Sequence, residues 1–362
     1  PHETVLAESM LDQSPSEYLV ATVTVRGSEI KATIQGGPTL RATDTTFERG
    51  RIALLADGPS YFSSVRVTMT EQSHETFVAA CTARETELSR LQQANPKPVV
   101  WKKISTTGFG VGRNLRFGDL DHDGEIDVLI GQVLHHGPSD RYSELSCLTA
   151  MNFDGKVLWR TGEPDKWKDH LTNDVGFQIH DLDNDGRNEV VYCRNFEILV
   201  ADGATGKIKY KAPTPKTRRD DDRYERILGD CLYFCDLQGR GYPGDIIIKD
   251  RYWHIWALND RLETLWTGKC TTGHYPFAYD TDGDGKDELA VGYTLFDDDG
   301  KKLWSLDGKI SDHCDGAAIA QFRKDQPPHI LNAASDEGIF FTDLSGKILD
   351  HYYFGHVQNP AI

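Results

Sequence analysis

Residues 1–70 alternate apolar and polar positions in short runs: "YLVATVTV", "EIKATIQ", "TLRATD", "RIALLAD" and "YFSSVRVTM". A period of two puts successive side chains on opposite faces of a strand, and "QGGP" and "ADGPS" supply turns. The pattern predicts an antiparallel meander of five strands. The period then changes. In "ETFVAACTARETELSRLQQANPKP", Phe77, Ala80, Cys81, Arg84, Leu88 and Leu91 fall near helical spacing, and the prolines of "NPKP" stop the run. A helix over 74–94 is predicted.

Beyond Trp101 the pattern repeats. Aligned on the first acid of an Asp-rich stretch, the anchors are 119, 181, 236 and 280, with Gln321 in the same place in a fifth copy. The units lie 62, 55, 44 and 41 residues apart, and "GHVQNPAI" begins like a sixth. In each unit an apolar strand enters the anchor loop, and a second follows it ("DVLIGQ", "EVVYC", "DIIIKD", "ELAVGY"). A third and a fourth flank a turn such as "FDGKVLW" or "DDDGKKLW". Four short strands in ~40–50 residues are the signature of a propeller blade. The predicted fold class is therefore all-β: a β-propeller of four-stranded blades over 100–362, about seven when complete. A β segment at 1–73 and a helical linker at 74–99 precede it.

The anchor loops "DLDHDGEID", "DLDNDGRNE" and "DTDGDGKDE" concentrate like charges around a glycine. Their first positions follow the EF-hand loop, but the closing acid comes at the ninth position instead of the twelfth. The predicted donors are Asp119, Asp121, Asp123, the Glu125 carbonyl and Asp127 in the first loop. In the second they are Asp181, Asp183, Asp185, the Arg187 carbonyl and Glu189. In the third they are Asp280, Asp282, Asp284, the Lys286 carbonyl and Glu288. Hard oxygen donors without His or Cys favour Ca2+ over zinc, so about three structural calcium sites are expected. The copy "DLQGRGYPGDIII" keeps Asp236 and Gly241 but has lost the inner acids.

Composition narrows the field. In 362 residues no apolar run approaches the ~18 needed for a membrane-spanning segment. A net charge of -16 argues against nucleic acid, which needs a basic face. The seven cysteines have no regular spacing and read as buried thiols. A secreted, periplasmic or cell-surface location is expected, although no signal peptide is visible in the chain.

Strand direction then locates candidate chemistry. If the anchor loops lie on one face, residues before the first strand and after the second lie on the other. Before the first strand come Arg113, Asn114, Asp230, His274, His313 and His356. After the second come His135, His136, Arg194, Lys249, Arg251, Tyr252, Tyr293, Ser335 and Asp336. Histidines and cations from several units would meet there and form a local cationic patch suited to an anionic sugar. Three converging histidines also suit a transition metal. His180 and His254 read as structural, and "KTRRDDDRYER" at 216–226 as a charged loop.

Strand–DxDxDG–strand repeats resemble the FG-GAP calcium propellers of integrin heads and of several carbohydrate-active enzymes. Within that set, "VGRN", "QIHDLDNDGRNEVVY", "KDRYWHIW", "GHYP", "DGDGKDELAVGY", "DHCDG", "SDEG" and "GHVQ" resemble propeller lyases and rhamnosidases acting on rhamnose–glucuronate linkages, and more distantly rhamnogalacturonan lyases. "RGRIALLADGPSYFSSVRV" is similar to the last strands of concanavalin-like jelly rolls, which makes 1–73 jelly-roll-like. The resemblance implies a polysaccharide lyase that cleaves a uronic-acid glycan by β-elimination, with an acidic polysaccharide or oligosaccharide as partner. Position and resemblance together make His136 or His274 the base and Tyr275 or Tyr293 the acid. Arg113, Arg194 and Arg251 would neutralise the uronate, while Asn114, His135, Lys249, Tyr293, His313 and His356 would bind sugar. A rhamnosidase using Asp230, Asp312 or Asp336, and a non-catalytic calcium-dependent glycan-binding or adhesion propeller, are the alternatives.

Overall fold

Each repeat unit folds as a four-stranded antiparallel meander, because its two central strands are apolar on both sides while its last strand alternates. In "DIIIK" and "HIWAL" all ten residues are buried, whereas "TLWTGK" is mostly exposed. A strand covered on both faces loses its alternation and reads as a continuous apolar run. The computed structural model describes the chain apart from residues 1–3, 12–17, 47–51, 53, 55–60, 107, 109–113, 138–141, 165–173, 175 and 361–362. Twenty-three strands and one helix occur among the described residues, and the chain divides into two units, Pro1–Trp101 and Lys102–Ile362.

In the first unit β1 (Ala21–Arg26), β2 (Glu29–Ile34) and β3 (Thr39–Thr43) form one antiparallel sheet. The expected fifth strand, 61–69, has no ladder partner among the described residues, and Tyr61, Phe62, Val65, Val67 and Met69 are exposed. Alternation alone does not make a strand; it needs a neighbour and a face to bury. "RIALLAD" lies mostly outside the described residues. The helix α1 (Glu71–Ala94) starts three residues earlier than the periodicity predicts, because Thr70 caps it, its hydroxyl accepting from Ser73 N at 3.2 Å. None of its residues is buried, so the apolar spacing of Phe77, Leu88 and Leu91 covers no core.

The second unit holds five sheets. The first is β4 (Leu115–Gly118), β5 (Asp127–His135), β6 (Ser143–Asn152) and β7 (Val157–Gly162). The second is β8 (Phe177–His180), β9 (Glu189–Arg194), β10 (Glu197–Asp202) and β11 (Ile208–Pro213). The third is β12 (Asp230–Cys235), β13 (Asp245–Lys249), β14 (His254–Leu258) and β15 (Thr264–Lys269). The fourth is β16 (Phe277–Tyr279), β17 (Glu288–Val291), β18 (Thr294–Phe296) and β19 (Lys302–Ser305). The fifth is β20 (Gly316–Ala320), β21 (His329–Ala333), β22 (Ile339–Thr342) and β23 (Ile348–Tyr352).

Cores form between consecutive sheets. Leu129, Leu148, Phe177 and Tyr192 join the first and second; Val191, Ile198, Ile246 and Trp256 join the second and third. Ile247, Ile255, Leu289 and Phe296 join the third and fourth; Leu295, Ile319 and Ile330 join the fourth and fifth.

One polar latch recurs at every one of these junctions. An aromatic residue on the last strand of a sheet donates to a carbonyl in the turn between the third and fourth strands of the next. Trp159 Nε1 donates to Gly203 O (2.6 Å), Tyr210 Oη to Asp260 O (2.6 Å), Trp266 Nε1 to Asp298 O (2.7 Å) and Trp304 Nε1 to Leu344 O (2.8 Å). Where the donor is Trp, the turn ends in Gly206, Gly300 or Gly346, at φ 67°, 83° and 84°, and a Cβ there would stand 2.5–2.7 Å from the indole. Where the donor is the smaller Tyr210, Leu262 takes the same left-handed conformation at φ 66°. The indole therefore adds a steric reason for glycine at these three positions to the backbone one.

Candidate functional site

Segments at the start of the first strands and after the second strands of the second to fifth sheets, with the segment that follows β23, are laced together by backbone hydrogen bonds. Cys231 N donates to Asp174 O (2.5 Å), Thr272 N to Tyr252 O (3.1 Å), His274 N to Cys314 O (3.0 Å) and Val357 N to Ser335 O (3.0 Å). Gly273 allows a close approach: at φ 58° a Cβ would meet Cys314 O at 2.0 Å. Cys231 (φ 48°) and Ser335 (φ 51°) hold left-handed conformations that non-glycine residues rarely take, and each adjoins a charged site residue. Such strain persists where the surroundings over-determine it.

The lacing gathers charge in layers. In the lower layer Lys249, with no exposed surface, donates through Nζ to Asp230 Oδ2 (3.0 Å) and Arg251 O (3.1 Å). Arg251 pairs with Asp174 and stands 3.6 Å from Asp230. Two cations and two carboxylates therefore balance, as buried charges must. Burial opposes ionisation of Asp174, but its hydrogen bond from His274 and the charges of Arg251 and Lys249 hold it at about 2. Burial dominates at Asp230 and pushes it up to about 6. Lys249 keeps its proton against burial because Asp230 and Asp174 flank it.

The upper layer is histidine. His274 Nδ1 donates to Asp174, and its Nε2 lies 3.1 Å from His313 Nε2 and 3.3 Å from Asp315 Oδ1. His313 donates through Nδ1 to Asp312 Oδ1 at 2.8 Å. Burial opposes ionisation of Asp312, but the backbone N–H groups of His313 and Asp336 and the His313 ring hold it at about 2. His356 donates through Nδ1 to Asp336 Oδ1 (2.8 Å), which raises its affinity for a proton, and its Nε2 is 3.8 Å from Asp315 Oδ2. Tyr252 stands edge-on to both inner imidazoles, with ring centroids 6.0 and 5.6 Å away. A cavity of about 530 Å3 opens beside His313, walled by Tyr252, Tyr293, Ile310 and Asp312.

Of the residues singled out in the sequence, His274, His313, His356, Arg251 and Lys249 come together here, the last two as the buried underlayer. Tyr293 is buried against Phe340 and lines the cavity; burial raises its phenol strongly, so it stays protonated. Burial does the same for Tyr275. His136 belongs to another group: it pairs with Glu144 (2.5 Å), lies edge-on to Tyr224, and its carbonyl accepts from Arg223. His135 pairs with Ser143 at the end of β5. Arg194 donates to Thr161 Oγ1 (3.2 Å) and Asn114 is wholly buried, its amide without a partner among the described residues. Arg113 lies outside the described residues. His180 stacks on Phe234 at 4.0 Å and His254 bonds Asp250, both structural positions.

Asp174 and Asp315 are not among the residues that the sequence pattern singles out. Asp315 lies six residues before Gln321, as His274 lies six before Asp280, so register could have found it. Asp174 lies seven before Asp181, and strand parity would turn it away. Parity does not hold there, since β8 begins only at Phe177.

The anchor loops bring their first, third and ninth carboxylates within 4.8 Å of one another: Asp119, Asp121 and Asp127; Asp181, Asp183 and Glu189; Asp280, Asp282 and Glu288. The fifth-position acids Asp123, Asp185 and Asp284 instead accept the seventh-position N–H groups of Glu125, Arg187 and Lys286, each at 2.9 Å. Asp121 Oδ1 is buried without a partner among the described residues, so the first loop fits a hard divalent cation. The second loop is different. Lys209 Nζ donates to Asp183 Oδ2 (2.9 Å) and Glu189 Oε1 (2.8 Å), a protein ammonium already within the cluster. In the worn third copy Asp245 keeps the place of the closing acid, and Arg240 pairs with it at 2.9 Å.

No family model matches the chain. It is 26% identical over 309 residues to the rhamnogalacturonan endolyase YesW of Bacillus subtilis strain 168, covering 66% of this chain and 47% of the relative. It is 26% identical over 249 residues to the rhamnogalacturonan exolyase YesX of the same organism, covering 52% and 39%. The chain thus spans about half or less of the length of these curated relatives. The crystal structure of YesW superposes with a TM-score of 0.51 over 72% of this chain and 54% of that one, at 20% identity. The V. cholerae biofilm matrix protein Bap1 gives 0.50 over 72% and 44%, at 18% identity, and both show a shared fold.

Proposed function

We propose that the chain is the catalytic part of a polysaccharide lyase that cleaves an acidic, rhamnose-containing glycan by β-elimination. The single observation that carries this is the layered cluster, three carboxylate-backed histidines over a neutral Asp174–Arg251–Asp230–Lys249 base beside a cavity. Similarity to two rhamnogalacturonan lyases supports the class and makes rhamnogalacturonan the first substrate to try, with rhamnose–glucuronate glycans second. The architecture proposed is a β-propeller whose blades are the five sheets, with Ca2+ in the anchor loops and a secreted or cell-surface location.

β-Elimination needs the uronate carboxylate neutralised, so that the C5 proton can be taken. The electron pair of the C5–H bond forms the C4–C5 double bond, the C4–O4 bond breaks, and O4 takes a proton. In the proposed assignment positive charge held between His274 and His313 neutralises the carboxylate. His356, half exposed and oriented by Asp336, is the base. Tyr252 in the cavity wall protonates O4. Lys249 and Arg251 act from beneath by fixing Asp174 and therefore His274, a positioning role that replaces the direct contact expected of them.

The test is digestion of both glycans followed by ultraviolet absorbance of the unsaturated uronate. Product from wild type and a loss of at least ~100-fold in kcat for His356→Ala, the scale of one general base, would support the reading. A folded protein that binds either glycan without forming unsaturated product would favour the binding function, for which the fold shared with Bap1 speaks.

A further inference from the structure

The β1–β3 sheet separates its charges from its apolar residues by face. Period two puts Thr22, Thr24 and Arg26 on one side of β1, and the ladder sets Thr24 opposite Lys31 and Arg26 opposite Glu29. β3 continues these rows, with Arg41 opposite Lys31, Thr43 opposite Glu29 and Thr39 opposite Thr33. Residues 21–43 hold three cations and one acid, and all four share this face, in a chain whose net charge is -16. The other face carries Val23, Val25, Ile30, Ala32, Leu40 and Ala42. The last four are partly buried, whereas Arg26, Lys31 and Arg41 are exposed. A groove of about 640 Å3 has Thr24, Arg26, Glu29, Lys31, Arg41 and Thr43 in its lining. Lys31 and Arg41 are a like-charge cross-strand pair, which weakens a ladder unless a counter-charge joins it. Glu29 stands opposite Arg26, and among the described residues no carboxylate pairs with Lys31 or Arg41.

We propose that this face binds an acidic polysaccharide. One carboxylate is held between Lys31 and Arg41, and a second by Arg26 on the diagonal, ~7–8 Å from Lys31. Charge complementarity carries the assignment, because a local cationic surface concentrates a polyanion that an acidic protein otherwise repels. The hydroxyls of Thr22, Thr24, Thr33, Thr39 and Thr43 both donate and accept, as the sugar hydroxyls between successive carboxylates require. An anionic membrane takes apolar side chains beside the cations, and a single-stranded nucleic acid takes aromatic rings to stack on. This face presents neither. The surface shares no residue with the histidine cluster, and identifying its polymer as the substrate of that cluster rests on the lyase reading above.

The experiment runs the full chain in native gels containing polygalacturonate or neutral dextran, at low and at high salt. Retardation by polygalacturonate alone, fading as salt rises, is expected. Lys31→Gln combined with Arg41→Gln should weaken binding roughly tenfold, the product of two surface ion pairs worth severalfold each. Glu29→Gln, which removes the one acid of the face, should tighten it. The substituted side chains are exposed, so Tm should hold in every variant, and Glu29→Gln keeps the test alive if the double variant fails to fold. Equal retardation of wild type and a folded double variant overturns the proposal. So does retardation that depends on His356 instead, or a preference for phosphatidylserine vesicles over polygalacturonate. Binding lost in the double variant, with no unsaturated product from wild type, retains the surface and defeats the lyase reading; product together with equal retardation does the reverse.

Discussion

Asp174 joins two functions in one carboxylate, accepting from both His274 and Arg251 while almost fully buried. Replacing it with Asn leaves a buried guanidinium short of its counter-charge, which should cost about 3–5 kcal/mol in denaturant unfolding. The two acids of the lower layer respond oppositely to pH. Asp174 sits at about 2, below the roughly 3.9 of an unfolded aspartate, so its stabilisation is complete above the unfolded value and is lost as pH falls through 2. Asp230 sits at about 6, so between roughly pH 4 and 6 the unfolded chain ionises first and stability declines as pH rises. Asp230→Asn should flatten Tm across that window. A variant curve parallel to wild type there would remove Asp230 as the titrating group.

Elements are joined by the aromatic latches and the anchor loops. A methyl group at Gly300 or Gly346 meets an indole as well as a left-handed backbone, so Gly300→Ala and Gly346→Ala should each cost about 2–4 kcal/mol. At Gly308, where φ is 78° and nothing lies within 4 Å, only the backbone term of about 1–2 kcal/mol applies. Equal losses in urea unfolding at all three would reject the indole contact as the cause. In the second anchor loop Lys209 competes with any cation. Lys209→Met should raise calcium affinity there while lowering stability in chelator, and calorimetric titration that shows no added or tightened site would count against this.

The whole second unit is a chain of sheets in which each core is shared by neighbours. A cation that binds only the folded state stabilises it by mass action, about 2.7 kcal/mol for each site at a hundredfold excess over Kd. Excess EGTA should therefore lower Tm in a calcium-dependent manner, and the first anchor loop should account for part of the loss because no protein cation among the described residues occupies it. An Asp121→Asn protein that loses as much Tm in EGTA as wild type does would exclude that loop. Net charge of -16 adds to the effect, since cations removed from the loops leave mutual repulsion behind.

The repeat was legible in the sequence because every unit must bury two central strands and turn twice, and those demands write apolar runs and Asp-Gly turns at fixed intervals. The loop acids were legible for the same reason, as were His274, His313 and His356 at equivalent places. The sequence did not determine which charges neutralise each other. Asp174 beneath His274 depends on a contact between separate units, and Lys209 inside one loop, Arg240 on the Asp245 carboxylate and Lys249 on Asp230 depend on which side chains folding brings together within a unit. Neither parity nor spacing encodes such contacts. Ion pairing is settled by distance and burial in three dimensions, where a buried charge takes whatever partner the packed sheets bring within reach.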